Sequence, residues 1–162
     1  MKIRRAFIVV SLVMILCISS FTLAGNTGNQ IVTFQVTAIN EIATSGNPGP
    51  LTVNSAVAGS QPSSAIDSTT TYAITTNESS KKITGVLDSV MPANTTLKIN
   101  LAAPTGATSA GDVVLSDVAA DLVTGISKVA ESGKTITYTF AADIAAGIIP
   151  PTIRTVTLTV TD

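Results

Sequence analysis

The sequence predicts an all-β protein, a single antiparallel β-sandwich of about eight strands. Apolar and polar residues alternate with a period of two in several stretches, most clearly where Val156, Leu158 and Val160 alternate with threonines. This period places successive side chains on opposite faces of a strand, so each stretch has one face suited to burial. Threonine and valine, whose β-branched side chains favour sheets over helices, are abundant in these stretches.

The first 24 residues predict a secretory signal peptide. Three basic residues precede an apolar run at 6–16, and Thr22-Leu23-Ala24 supplies the small residues that a signal peptidase requires. The apolar run is shorter than the roughly 20 residues that a membrane-spanning helix needs. We therefore predict residues 1–24 as the signal peptide and residues 25–162 as one domain, with Gly25 as the first mature residue and Asn26 as the alternative.

The strands that follow are predicted from the same alternation. The clearest are expected, in chain order, at 32–37, 96–101, 135–140 and 155–161. Weaker alternation predicts strands at 51–57, 71–76, 81–87 and 112–115. The segments 117–124 and 141–146 have some helical character, but neither carries a complete apolar stripe. The longest loops, rich in Gly, Pro, Asn and Ser, are predicted at 46–50 and 59–64.

Four aromatic residues remain after the signal peptide, namely Phe34, Tyr72, Tyr138 and Phe140. Phe34, Tyr138 and Phe140 occupy the apolar phase of clear strands, so we expect them in the core. Tyr72 lies in a weaker stretch. It is therefore the candidate surface platform on which a sugar ring would stack.

The composition excludes several classes of enzyme. The chain has no His, and its only Cys lies within the predicted signal peptide. The nucleophile–base pairs of Ser and Cys hydrolases and the usual zinc sites are therefore excluded. Paired carboxylates remain available for glycoside hydrolysis, but aromatic residues, which would hold the sugar, make up only 4% of the chain. We expect a protein with no enzymatic activity and no cofactor.

Calcium is the one metal that this composition suits, since calcium binds oxygen ligands. Asp112, Asp117 and Asp121 are close in sequence, but their spacing matches no EF-hand loop. We interpret them as turn and capping residues. Nucleic acid is not an expected partner, because the residues after 24 are acidic overall and contain no basic stripe.

The outward-facing threonines raise another alternative. Those at 135–139 and at 155–161 would form a flat array, if they shared one face, like the ice-binding faces of some antifreeze proteins. Such faces usually accompany a sequence repeat, which this chain lacks. We therefore interpret these threonines as the solvent-facing phase of ordinary strands.

Four stretches spread over residues 25–162 carry a family resemblance. They are the alternating start at 30–38, the motif at 75–84 (TTNESSKKIT), the tripeptide Thr124-Gly125-Ile126 and the terminal strand at 155–161. In layout they resemble immunoglobulin-like pilin subunits of the chaperone–usher type. The chain departs from that family in lacking the cysteine pair of many such pilins and an aromatic residue near its C-terminal end.

The resemblance implies a way of assembling. In such families a subunit lacks one strand of its sandwich and receives that strand from the N-terminal extension of a neighbour. The extension here would be Asn26 to Ala38, with Val32, Phe34 and Val36 as the inserted anchors. The alternation itself equally fits an ordinary edge strand of the chain's own sheet. We favour the ordinary strand, because a self-contained sheet requires no partner.

These observations together predict a secreted protein with a structural or adhesive role at the cell surface, such as a pilus or filament subunit. Its expected partners are copies of itself or another surface protein, joined by strand addition. It would meet a membrane only during export, which passes through the periplasm if the source is a Gram-negative bacterium. The alternative function is a non-catalytic glycan-binding module that uses Tyr72 as its platform.

Overall fold

The computed structural model describes residues 25–162. A boundary between Gln35 and Val36 divides the chain into two units. The described part of the first unit, residues 25–35, contains no helix or strand. The second unit, Val36–Asp162, contains all of the regular structure considered below. The predicted signal peptide, residues 1–24, lies outside the described residues.

The unit Val36–Asp162 folds into antiparallel strands, as predicted. The nine strands are β1 Asn40–Thr44, β2 Ala65–Thr76, β3 Lys81–Leu87, β4 Thr95–Leu101, β5 Thr108–Ser109, β6 Val113–Val114, β7 Ala120–Ile126, β8 Val129–Ala142 and β9 Val156–Thr161. One sheet has the order β1-β2-β8-β4-β6 and the other has the order β5-β7-β3-β9. The two sheets share one core, so the predicted all-β sandwich is confirmed.

The core contains apolar side chains from both sheets. The five-stranded sheet contributes Tyr72, Ile74, Leu97, Ile99, Leu101, Ile136 and Tyr138, and the four-stranded sheet contributes Ile83, Leu87, Leu122, Val123 and Ile126. Most of the strands present these residues on one face because of their period of two, whereas β7 buries the consecutive Leu122 and Val123. The free edges of the two sheets are β1, β6, β5 and β9. Since β5 and β6 have only two residues each, the long free edges are β1 and β9.

Most of the predicted strands are confirmed. Those at 71–76, 81–87, 96–101, 135–140 and 155–161 correspond to parts or all of β2, β3, β4, β8 and β9, while 112–115 contains only the two-residue β6. The predicted strands at 32–37 and 51–57 are wrong, because neither segment forms a ladder with a neighbour; Ala56 makes only an isolated bridge with Pro62.

The predicted helical segments also differ from the structure. The segment 117–124 enters β7, where Leu122 and Val123 are both buried, so packing between the sheets decides its conformation. The segment 141–146 is divided between the end of β8 and a short 3-10 helix, Ile144–Ala146. Within residues 25–162, no helix is long and apolar enough to cross a membrane.

The outward threonines do not form one array. Thr135, Thr137 and Thr139 lie on β8 in the five-stranded sheet, whereas Thr157 and Thr159 lie on β9 in the four-stranded sheet. Because the two sheets turn opposite faces to solvent, the hypothesis of a single flat threonine surface is wrong.

Candidate functional site

An apolar groove of about 1690 Å³ runs between the two sheets beside the free edge of β9. Its apolar lining comes from both sheets and from two loops: Ile42, Leu51, Met91, Leu97, Ile136, Tyr138, Phe140, Val156 and Leu158. Phe140, Val156 and Leu158 are only half-buried, while Ile83 and Leu101 elsewhere in the core are fully buried. The sandwich core is therefore incomplete along this side.

The backbone of β9 has free hydrogen-bonding groups on the groove side. In the part of the chain that the structure describes, its only ladder partner is β3, and the Asp88 N–H donates to the Thr155 carbonyl at 3.0 Å. In an antiparallel pair, alternate residues direct both backbone groups at the partner strand. The Thr157 and Thr159 groups consequently face β3, so those of Val156, Leu158 and Val160 face the open edge. An unpaired edge of this kind is a template for another strand.

The segment 51–56 also lines the groove. Leu51 and Val53 are half-buried, while Thr52 and Asn54 between them are exposed. A hydrogen bond of 2.9 Å from the Ser63 N–H to the Ser55 carbonyl closes a small hairpin after this segment. The segment therefore has the side-chain alternation of a strand but no ladder partner. This explains why the sequence predicts a strand here.

A polar cluster lies where β9 ends. The Lys81 ammonium group bonds the Asp162 carboxylate and approaches Glu78 Oε2 at 3.0 Å. Glu78 also accepts a hydrogen bond from the Asn40 side-chain amide, and Thr76 Oγ1 donates to Asn40 Oδ1 at 2.7 Å. The bond to Asp162 is the main reason why the pKa of Lys81 is raised, and the bond from Asn40 is the main reason why the pKa of Glu78 is lowered. The cluster therefore links β1 to β9 through the turn between β2 and β3.

Exposed apolar side chains also line the groove. Ile144 and Ile153, in the connection between β8 and β9, are 72% and 86% exposed. The Arg154 Nε–H donates to the Val90 carbonyl at 3.0 Å, which joins this connection to the loop between β3 and β4. The connection between β8 and β9 thus adds exposed apolar side chains to the lining of the groove.

The segment before β1 carries the apolar residues Val32, Phe34 and Val36. Their side chains are 73%, 87% and 79% exposed. The prediction that Phe34 lies in the core, like the prediction of an ordinary strand around it, is therefore wrong. Tyr138 and Phe140 lie in the core as predicted. Tyr138 is buried, and Phe140 is half-buried beside the groove.

Asn77 holds the backbone that immediately precedes β1. Its Oδ1 atom accepts a hydrogen bond of 2.9 Å from the Ile39 N–H, and its side-chain amide donates to the Thr37 carbonyl at 2.8 Å. The Asn77 backbone N–H also donates to the Ile39 carbonyl at 3.3 Å. One asparagine thus satisfies three backbone groups in a stretch that has no ladder of its own.

Tyr72 is a core residue and not a surface platform. It is 1% exposed, because its position on β2 faces the opposite sheet, and its hydroxyl donates to the Ala102 carbonyl at 2.7 Å. Burial raises the pKa of Tyr72 to about 12. Tyr138, the other tyrosine, is 8% exposed. The prediction that Tyr72 is available for stacking against a sugar is therefore wrong.

The acidic residues considered for calcium are dispersed. Asp112 accepts a hydrogen bond of 3.0 Å from the Asn100 side-chain amide, and Asp121 pairs with Lys82 at 3.4 Å. Within residues 25–162, no three His, Cys, Asp or Glu side chains are grouped so that they would hold a metal ion. Asp112, Asp117 and Asp121 are thus not gathered into such a group in the described part of the chain.

The alternation of the sequence correctly identifies the inward residues of β9, but it does not reveal that they line an open groove. The one sequence signal that points to the groove is the strand-like alternation of the residues at 32–36 and 51–55. That alternation does not show which strands pair. No protein-family model matches the chain, and comparison with curated proteins and with solved structures likewise found no match. A function is therefore inferred from the groove, the free edge of β9 and the segment before β1.

Proposed function

We propose that the protein is a structural subunit of a cell-surface filament that assembles by strand addition. The segment 26–38 of one copy inserts Val32, Phe34 and Val36 into the groove beside β9 of the next copy and completes an immunoglobulin-like sandwich. One observation carries this proposal: the apolar groove lies along a sheet edge whose outward backbone groups have no ladder partner within residues 25–162. An open groove of this kind leaves apolar surface exposed to water and backbone hydrogen-bonding groups without a protein partner.

The chemistry of the segment matches that of the groove. Val32, Phe34 and Val36 recur at every second residue, as Val156, Leu158 and Val160 do on β9. Both sets are therefore spaced at about 6.6 Å in extended backbone, from the rise of ~3.3 Å per residue. Because the intervening residues of the segment are Thr33 and Gln35, the outward face of the inserted strand would remain polar.

The energetics favour a segment that inserts as a whole. Full burial of each anchor stabilises the assembly by about 1.5–3 kcal/mol. Fixing the backbone of each residue opposes insertion by about 1–2 kcal/mol. Over the five residues 32–36 the two contributions are similar in size, about 4.5–9 kcal/mol from the three anchors against about 5–10 kcal/mol for ordering the backbone. The assembly therefore depends on all three anchors together with the new backbone hydrogen bonds. Replacing a single anchor by a charged residue should therefore prevent assembly.

The distribution of sheet edges supports the same function. Long exposed edges invite unwanted pairing, and proteins usually shorten or cover them. Here the edges at β5 and β6 are reduced to two residues each, while the long edges β1 and β9 both border the groove. The predicted signal peptide would supply export to the cell surface, where a filament subunit acts.

The proposal is tested with two complementary full-length variants. Phe34→Asp leaves the groove intact but blocks the segment, whereas Leu158→Asp leaves the segment intact but blocks the groove. Each variant should be monomeric by light scattering, and an equimolar mixture should form a heterodimer that grows no further. Thr33→Asp, a control of equal charge on the outward face, should assemble like the unmodified protein.

A second measurement uses a synthetic peptide of residues 26–38. The folded Phe34→Asp protein should bind this peptide in a 1:1 ratio, and a peptide with aspartate at position 34 should not bind. Circular dichroism establishes that both protein variants are folded. The proposal would be overturned if the unmodified protein remains monomeric and its Phe34→Asp variant binds no peptide. A loss of stability on deletion of residues 26–36 from that monomer would then mean that the segment stabilises its own subunit.

A further inference from the structure

We infer that Asn77 is a positioning residue that fixes the backbone between the donated segment and the domain of the donating copy. Consecutive copies in the filament would then be joined by a rigid connection. This inference rests on the proposed function. It concerns a different property, the stiffness of the junction, and a residue that does not line the groove.

The hydrogen bonds of the turn between β2 and β3 carry the inference. Asn77 binds the backbone of Thr37 and Ile39 through three hydrogen bonds. The residues on either side of Asn77 also hold the start of β1, because Thr76 and Glu78 both form hydrogen bonds with the Asn40 side chain. The backbone from Thr37 onward is therefore fixed before the ladder of β1 and β2 begins at Asn40 and Thr76.

The position of this contact matters because Val36 is the last apolar anchor of the segment. Without Asn77, the three residues from Thr37 to Ile39 would form a tether up to about 10 Å long between the inserted strand and β1. Such a tether would let neighbouring copies rotate freely. With Asn77 in place, the fixed backbone begins at the residue that follows Val36, so no flexible residue remains at the junction.

Asparagine suits this role because its side-chain amide has one acceptor and a donor group, like the backbone of a neighbouring strand. Aspartate would still accept from the Ile39 N–H, but it has no donor for the Thr37 carbonyl. Alanine would have neither group. The three residues therefore provide a graded series in which the number of side-chain hydrogen bonds to the segment falls from two to one to none.

The test compares filaments of the unmodified protein with those of Asn77→Ala, Asn77→Asp and Ser79→Ala. Ser79 is the matched control, because it is exposed in the same turn and its side chain makes no hydrogen bond within the described residues. Electron microscopy of the filaments measures the persistence length. We expect Asn77→Ala to shorten it by at least about twofold, since a flexible linker replaces a fixed one. Asn77→Asp should be intermediate, and Ser79→Ala should be unchanged.

Hydrogen exchange provides a readout that does not require filaments. In the monomeric Phe34→Asp background, Asn77→Ala should speed exchange of the Ile39 amide by about threefold to tenfold, as expected for losing one hydrogen bond. Asn77→Asp should largely restore protection at Ile39. The melting temperature and binding of the 26–38 peptide should change little, which separates positioning from a general loss of stability.

The outcomes distinguish the two proposals. The role of Asn77 would be overturned, and strand addition left intact, by either of two results. One is that the unmodified and Asn77→Ala filaments are equally stiff; the other is that the Ile39 amide exchanges equally fast in the Phe34→Asp protein with and without Asn77→Ala. If the unmodified protein forms no filament and the Phe34→Asp protein binds no peptide, strand addition itself is overturned, and the inference about stiffness falls with it.

Discussion

Gly85 of β3 and Leu122 of β7 pack so closely that a Cβ atom on Gly85 would lie 2.7 Å from the Leu122 Cδ1 atom. The two strands are neighbours in the four-stranded sheet, and Leu122 is fully buried. Gly85 also lies opposite Leu158 of β9 in the ladder that borders the groove. The missing side chain at Gly85 therefore makes room for Leu122 in the core behind the β9 edge.

Gly85→Ala should destabilise the fold, because the new methyl group forces Leu122 out of a tightly packed position. The expected loss in the free energy of unfolding is about 1–3 kcal/mol, as for other overpacked cores. Urea denaturation measures it. Gly28→Ala is the control, since nothing lies within 4 Å of a Cβ at that position and its backbone is not in the left-handed region. Equal midpoints for the two variants would contradict the packing described for Gly85.

Leu101→Ala and Leu158→Ala should differ in the isolated subunit. Leu101 is fully buried in the core, so its truncation should cost about 2–5 kcal/mol. Leu158 is half-buried on an edge strand, so its truncation should cost less. In the Phe34→Asp background, saturation with the 26–38 peptide should increase the cost at Leu158 and leave that at Leu101 unchanged. Thermal denaturation with and without peptide measures this change in the cost at Leu158. If the peptide binds elsewhere, it will not change that cost.

Tyr72 should titrate at unusually high pH. Desolvation by burial, followed by the nearby charge of Glu131, raises the pKa of Tyr72 to about 12, against 10.0 for a free tyrosine. The neutral hydroxyl is favoured in the folded state, so its contribution to stability is complete below pH 10 and is lost as the pH rises towards 12. Ultraviolet absorbance during an alkaline titration measures the ionisation. Tyr72→Phe should remove this step, and a Tyr72 that titrates near pH 10 in the folded protein would contradict its burial.

Glu131 should make the fold sensitive to acid. Its carboxylate accepts from Lys134 and from the Thr105 N–H at 2.9 Å, and these contacts, that of Lys134 being the larger, lower the pKa of Glu131 to about 2. The charged form is favoured in the folded state. The stability it contributes is therefore present above about pH 4.5 and lost as the pH falls towards 2. Between pH 5 and pH 2 the denaturation midpoint of Glu131→Gln should fall less steeply with pH than that of the unmodified protein. The same dependence on pH in both proteins would contradict this role of Glu131.

Much of the fold could be predicted because side-chain alternation is a local property. The alternation of Val156, Leu158 and Val160 with threonines defined β9, and the same pattern defined β3 almost to the residue. The prediction that Ser–His and Cys–His pairs are missing likewise rests on composition alone, since the sequence contains no His. These features depend only on the order and types of the residues.

The tertiary structure decided what alternation leaves open, namely which strands find a partner. The residues at 32–36 alternate as well as β9 does but form no ladder, because ladders require a second backbone at hydrogen-bonding distance. Packing between the sheets also made β7 a strand and buried Tyr72, which lies next to a register shift in the pairing of β2 and β8. The groove beside β9 exists only because two long sheet edges border an unfilled part of the core, a relation between distant residues that no local pattern contains.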